Sequence, residues 1–259
     1  MQVKDVLEHF QSVGTWVNWE RTVDRILHGD PATEVRGIAT GWIATNEAIR
    51  RAADEGLNLF ISHEGIFYDR LDDESVQRMA DEKRKLLDEL GMVAMRCHDT
   101  WDRMPDFGIP DAWAAWLGFE TEPRPLESFY KICLVGDMTV RELAAAVFER
   151  VRELGQESVS VFGDPEKRVS RMAVGTGAIT RFPVMQELNP DVILATDDGM
   201  SWTQGGHWAA DLGVPLLIVH HGVAEYPGMM AMVDYLQKEF PDIPTKYIEA
   251  SYQWSVVSR

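Results

Sequence analysis

Cysteine is scarce in this chain. Cys97 and Cys133 are the only two, they form no Cys-x-x-Cys pair, and they cannot build a disulfide framework. A reducing, cytoplasmic setting is therefore the expectation. Positive charge is also in short supply: Lys and Arg number 25 against 42 Asp and Glu, for a formal net charge of −17. That field repels phosphate backbones and anionic bilayers, and Lys83-Arg84-Lys85, the densest basic stretch, is flanked by acids. Nucleic acid and membrane surfaces are excluded as expected partners, whereas cations suit such a chain. No apolar run approaches the ~18 residues needed to cross a bilayer, and no apolar segment of signal-peptide type follows Met1. Internal repeats and low-complexity segments are missing as well.

What is present is an ordinary globular composition, 45% hydrophobic and 26% charged over 259 residues, enough for one large domain or two lobes. Val3, Val6, Leu7 and Phe10 sit at helical spacing. Strands are predicted at Thr22–Leu27, Glu34–Trp42, Leu57–Ile61 and Met92–Cys97. Helices are predicted from Thr45 or Asn46 to Glu55, over Glu74–Leu90 up to Gly91, and over Pro110–Leu117 up to Gly118. Such alternation predicts an α/β fold with mostly parallel sheets and helices on both faces. Glu120–Pro125 carries no periodicity and marks a lobe boundary.

Beyond it, strands are predicted at Phe129–Val135, Ser158–Phe162, Arg171–Gly175, Asp191–Ala195 and Val214–Val219. Helices are predicted over Val140–Leu154, around Pro183–Leu188, over Trp202–Leu212 and over Gly228–Phe240, with a last strand at Lys246–Val257. Met229, Met232, Val233 and Leu236 fall on one face of their helix and read as core. The expected arrangement is two interlinked α/β lobes: residues 1–124 completed by 214–259, with 125–213 inserted as the second.

Three predicted strands run into metal-type ligands: His63-Glu64, His98 with Asp102, and His221 with Glu225. The members of the last two pairs are four residues apart, so each pair can converge from a turn or a first helical turn. Singly, each has a plain reading as a hydrogen-bonded histidine at a strand end. Together, at the carboxyl ends of parallel strands, they would meet on one edge of a sheet, where α/β proteins hold ligands. Three imidazoles and three carboxylates exceed one catalytic zinc and suit two metals bridged by carboxylates.

Other motifs fail. His63-Glu64 does not extend to a His-Glu-x-x-His helix, because Phe67 stands at the fourth position. Gly175-Thr176-Gly177 would need a glycine where Thr180 stands to form a dinucleotide fingerprint, and reads instead as a tight turn with close backbone approach. Cys97 points away from the ligand face and reads as core. Of the nine tryptophans, Trp101 and Trp202 lie near the clusters in sequence and are candidates to line a substrate pocket.

From Gly29-Asp30-Pro31 to Glu225 the chain resembles the NGG-one-interacting-factor-three proteins, often described as type-two GTP cyclohydrolase I or dinuclear metal-centre proteins. Ile61-Ser62-His63-Glu64-Gly65 resembles a family strand ending in His-His-Pro. His98-Asp99-Thr100-Trp101-Asp102 resembles His-Thr-Asn-x-Asp, and Thr196-Asp197-Asp198 resembles Thr-Gly-Asp. His220-His221-Gly222-Val223-Ala224-Glu225 is similar to Gly-His-x-x-x-Glu. The resemblance implies two divalent ions held by His63, Glu64, His98, Asp102, His221 and Glu225, and a homo-oligomer in the form of a hexameric ring. Glu64 and Gly65 replace the second histidine and the proline of that pattern, and Trp202 stands where a histidine is expected.

The leading expectation is a dinuclear metal-dependent hydrolase of a small molecule, with zinc, manganese, iron or magnesium as the ions. Its metal site would lie at strand carboxyl ends between the lobes. Asp102 and Glu225 would be the bridging carboxylates, and Asp99 the nearest candidate general base. The alternatives are a metal-binding or metal-delivery protein, or a regulatory scaffold, without turnover.

Overall fold

A computed structural model describes residues 1–67, 73–177, 181–201 and 205–250. The chain divides into two compact units, one comprising Met1–Phe107 with the stretch that begins at Met229, the other comprising Gly108–Gly228. Both units are α/β. Among the described residues no helix is long and apolar enough to cross a membrane.

The first unit opens with helix α1 (Val3–Val13) and strands β1 (Arg25–His28) and β2 (Ile38–Gly41). Helix α2 (Asn46–Asp54), strand β3 (Leu59–Ser62), helix α3 (Glu74–Leu90) and strand β4 (Val93–Arg96) follow, and β11 (Thr245–Tyr247) completes the sheet. The strand order is β1-β4-β3-β2-β11. All neighbours are parallel except β1, which runs antiparallel to β4 with Arg25 opposite Arg96.

β2 and β3 are buried at every position, so their sequence is apolar throughout instead of alternating. Ala48, Ile49 and Ala52 of α2 and Leu86 and Leu87 of α3 pack with Ala39, Phe60 and Ala94 of the sheet in one core. Thr45 caps α2 by accepting from the Ala48 amide, and Gly91 ends α3 in the left-handed conformation at φ 60°.

In the second unit, helix α4 (Ile109–Leu117) leads through the two-residue strand β5 (Glu120–Thr121) to strand β6 (Lys131–Thr139) and helix α5 (Val140–Arg152). Strands β7 (Ser160–Phe162) and β8 (Arg168–Val174), helix α6 (Phe182–Gln186), strand β9 (Val192–Thr196), helix α7 (His207–Leu212) and strand β10 (Leu216–Val219) complete it. The sheet order is β5-β6-β8-β9-β10-β7, with β8, β9 and β10 parallel and the remaining three pairings antiparallel. Tyr130, Ile132, Ala173, Phe182, Met185, Ile193 and Leu216 form its core.

Among the described residues five of the nine strand pairings are parallel, so the expected parallel pairing holds in part, and β1, β5, β6 and β7 join by antiparallel ladders. Two expectations differ from this arrangement. The unit boundaries fall after Phe107 and Gly228, whereas the sequence places them after 124 and before 214: β10 pairs with β9 and β7 in the second sheet, and α4 packs on β6. Helix α8 (His221–Glu239) begins seven residues before the expected Gly228, because its first turns run straight through Pro227. Gly228 leaves room there for Ile109, whose Cδ1 lies 2.5 Å from where a Cβ would stand. The methionine stripe is core, as read, with Met229 and Met232 fully buried. The expected last strand overlaps β11 at Lys246 and Tyr247; residues 248–250 are not in a strand, and those after 250 lie outside the described part.

Asn58, fully buried, ties the entry to β3 to its neighbour: its Oδ1 accepts from the Arg36 amide at 2.8 Å and its Nδ2 donates to the Glu34 carbonyl at 2.9 Å. An Asn58→Ala change removes both bonds from the Arg36 amide and the Glu34 carbonyl, which are only partly buried, at a cost of about 1–3 kcal/mol. Urea unfolding of the variant should show a correspondingly lower midpoint, and a midpoint equal to the parent's would remove Asn58 from this role.

Candidate functional site

Parallel strands leave their carboxyl ends on one edge, so β3 and β4, which are neighbours, deliver His63-Glu64 and the His98–Asp102 loop side by side. His63 is fully buried, and its ring stacks on that of His98 with centroids 4.4 Å apart and planes 15° apart. Asp102, also buried, places Oδ1 3.3 Å from His63 Nε2 and Oδ2 3.3 Å from His98 Nδ1. One ligand atom from each of these three residues lies within 4.8 Å of the others, so His63, His98 and Asp102 could hold a metal ion. Two imidazoles and a carboxylate form a donor set suited to a divalent transition ion.

The loop that carries His98 is fixed by Asp24, a residue the sequence does not single out. Asp24 stands immediately before β1, and because β1 runs antiparallel to β4, that position lies beside the carboxyl end of β4. Its buried carboxylate accepts from three consecutive amides: Oδ1 from His98 (2.6 Å) and Asp99 (2.9 Å), Oδ2 from Thr100 (2.7 Å). Asp99 in turn accepts from the Thr22 hydroxyl and pairs with His98 Nδ1 at 2.9 Å. The His98 contact is the main cause that holds the Asp99 carboxyl down at about 2. A carboxylate so acidic is a poor proton acceptor at neutral pH, which weakens its candidacy as general base.

The His63 loop is gripped twice. Arg96 donates through Nε to the His63 carbonyl at 2.9 Å and through Nη2 to Glu64 Oε2 at 3.0 Å. The buried Lys83 ammonium donates to the carbonyls of Ala44 and Ile66, and burial lowers its pKa to about 8. Glu64 is thus neighbour to His63 with one oxygen on a guanidinium. Trp101, offered by the sequence as a pocket lining, is fully buried and packs edge-on against Phe10 and Tyr235, so it is core. Trp202 and Thr180 lie outside the described residues.

The third cluster stands at the strand ends of the second sheet. There β8, β9 and β10 end together, bringing Gly177, Asp197-Asp198 and His221 to one place. His221 opens α8, so Glu225 follows one turn later, with Oε1 2.8 Å from His221 Nε2. On the other side of the ring, Asp198 Oδ2 lies 2.8 Å from Nδ1. Asp197 accepts the His221 amide at 2.8 Å, and the buried Gln156 accepts that of His220 at 2.8 Å. Burial pushes the His221 pKa down, but the carboxylates of Glu225 and Asp198 outweigh it and raise the value to about 11.

Without a metal, His221 is therefore an imidazolium at neutral pH. Its folded pKa lies above the unfolded 6.5, so its contribution to stability is present below about 6.5 and lost as pH rises through about 11. An ion that takes Nε2 must displace a proton. Calorimetric zinc titrations at pH 8, in buffers of different ionisation enthalpy, should show about one proton released from this cluster. Affinity there should climb as pH rises towards 11, and zero proton release in a His221-dependent binding step would contradict the assignment.

Residues 1–253 match the sequence profile described as Duf34/NIF3 (NGG1p interacting factor 3). A curated Pseudomonas aeruginosa protein named GTP cyclohydrolase 1 type 2 homolog is 27% identical over 210 residues, covering 80% of this chain and 81% of that protein. The fold is similar to that of a Bacillus cereus protein related to NIF3, at 13% identity and a TM-score of 0.81 over 100% of this chain and 99% of the other. A Staphylococcus aureus hypothetical protein is similar too, at 17% identity and a TM-score of 0.78 over 97% of each chain. With its match extending over almost the whole sequence, the chain belongs to the Duf34/NIF3 (NGG1p interacting factor 3) family.

Proposed function

We propose that this chain is a divalent-metal protein that takes two ions, one at His63, His98 and Asp102 and one at His221 and Glu225, and that it hydrolyses a small molecule. The observation that carries the reading is the first cluster: three ligand-type side chains, His63 and Asp102 buried and His98 partly so, with donor atoms within 4.8 Å, at a strand-end edge. Glu64, beside His63, adds a carboxylate to the same loop. A bound divalent ion supplies Lewis acidity, which lowers the pKa of water and polarises an ester, amide or phosphoryl oxygen.

The chain's own residues do the rest. Asp24 and Arg96 fix the loops, Asp102 presents an oxygen towards each imidazole, and Asp99 sets the His98 ring. The low pKa of Asp99 favours a second reading, a metal-binding or metal-delivery protein without turnover, since it weakens the nearest candidate general base. The name of the Pseudomonas relative makes GTP one compound to include among the substrates tried. We also propose a homo-oligomer, a hexameric ring, to which sedimentation of only monomer at micromolar concentration with metal present would be fatal.

Elemental analysis of the purified protein should find about two divalent ions per chain. Asp102→Ala should lower that count with little change in the circular dichroism spectrum, because the carboxylate that lies against both imidazoles is gone. A panel of phosphoesters, amides and GTP should show turnover that a chelator abolishes. Metal without turnover on any of them supports the delivery reading, and no metal at all defeats both.

A further inference from the structure

We propose that Asp198 is the positioning residue of His221: by accepting the Nδ1 proton, it makes Nε2, the nitrogen that faces Glu225, the one that gives up its proton to a metal. The inference rests on the metal reading above and adds a residue outside the proposed ligands. The carboxylate is aimed from both of its oxygens. Oδ1 accepts from the Thr196 hydroxyl at 3.0 Å, and Oδ2 meets His221 Nδ1 at 2.8 Å. Thr196 is the fully buried last residue of β9, and β9 is the parallel neighbour of β10, which leads into His221. The pairing is thus built into the sheet: two adjacent strands end together, one releasing the acid and the other the imidazole.

A neutral imidazole that binds a metal through one nitrogen keeps its proton on the other, and the group that accepts that proton decides which nitrogen is which. Here the two ring edges are unequal. Nε2 points at Glu225 Oε1, 2.8 Å away, a direct ion pair that a metal would replace by taking the place of the Nε2 proton. The same edge faces Gly177 in the turn after β8, where φ is +65° and an added Cβ would stand 2.9 Å from Nε2 and 3.5 Å from Glu225 Oε1. The absent side chain keeps that edge open, which also gives the Gly175-Thr176-Gly177 turn a use: close backbone approach to an imidazole. Asp197, next in sequence, holds the His221 amide, so the residue is fixed at its backbone and its ring by consecutive acids.

Asp198→Asn tests this. With the Thr196 hydroxyl donating to the amide oxygen, the new NH₂ faces Nδ1 and favours a proton on Nε2, the nitrogen that must be bare. Zinc titration of protein with ¹⁵N-labelled histidine reads each imidazole separately. In the parent, saturation should leave the His221 proton on Nδ1 and zinc on Nε2.

In Asp198→Asn the affinity read at His221 should fall about 10–100-fold, while that read at His63 and His98 stays within twofold, and Asp198→Glu should recover part of the loss. Loss at all three histidines together would show a merely structural role and overturn the proposal, as would unchanged affinity at His221 or zinc on Nδ1 in the parent. If the parent's imidazoles do not respond to zinc at all, the metal reading itself falls, and this inference with it.

Discussion

The physical constraint behind both clusters is the end of a parallel strand. Where the ladder stops, backbone amides lose their partners, and leaving them buried without an acceptor costs about 1–3 kcal/mol each. This chain satisfies them with acidic and amide side chains from neighbouring segments. Asp24 takes the amides of residues 98, 99 and 100, Asp197 takes that of His221, and Gln156 takes that of His220. The same bonds that close the ladder therefore fix the loops on which the histidines stand. Structure and site share one set of interactions.

That solution concentrates negative charge where water is scarce. Asp24, Asp102 and Glu225 are all buried, while Asp99 and Asp198 keep part of their surface in water beside the rings they orient. Burial raises the cost of each charged carboxylate, and a cation in contact offsets it. At His221 the cation is the imidazolium itself, which accounts for its raised pKa. A bound divalent ion would offset the same carboxylates with two charges.

Much of this was legible in sequence because it is local. The α3 helix has the predicted bounds, Glu74–Leu90 before Gly91, since an amphipathic pattern and a glycine stop are short-range signals. The strand-end histidines were legible for the same reason: an apolar run broken by His63 or His98 marks the point where a chain leaves a sheet. What was not legible depends on pairing. Nothing near Asp24 reports that β1 will run antiparallel to β4, and only that register brings its carboxylate to the His98 amide.

Likewise the sequence assigns Val214–Val219 to the first lobe, whereas β10 finds its partners in β9 and β7. The early start of α8 was hidden by Pro227-Gly228, a pair that reads as a break but here lies within a continuing helix. Asp198 was visible within a motif, yet its role depends on β9 and β10 lying side by side.

The central claim is that the strand-end clusters are preorganised metal sites, and anomalous diffraction from crystals grown with zinc tests it most directly. The account predicts an anomalous peak within about 2.0–2.2 Å of a ring nitrogen of His63, a ring nitrogen of His98 and an oxygen of Asp102, and another within the same distance of His221 Nε2 and Glu225. Zinc found only at surface carboxylates and exposed histidines, with both clusters unchanged, would contradict it.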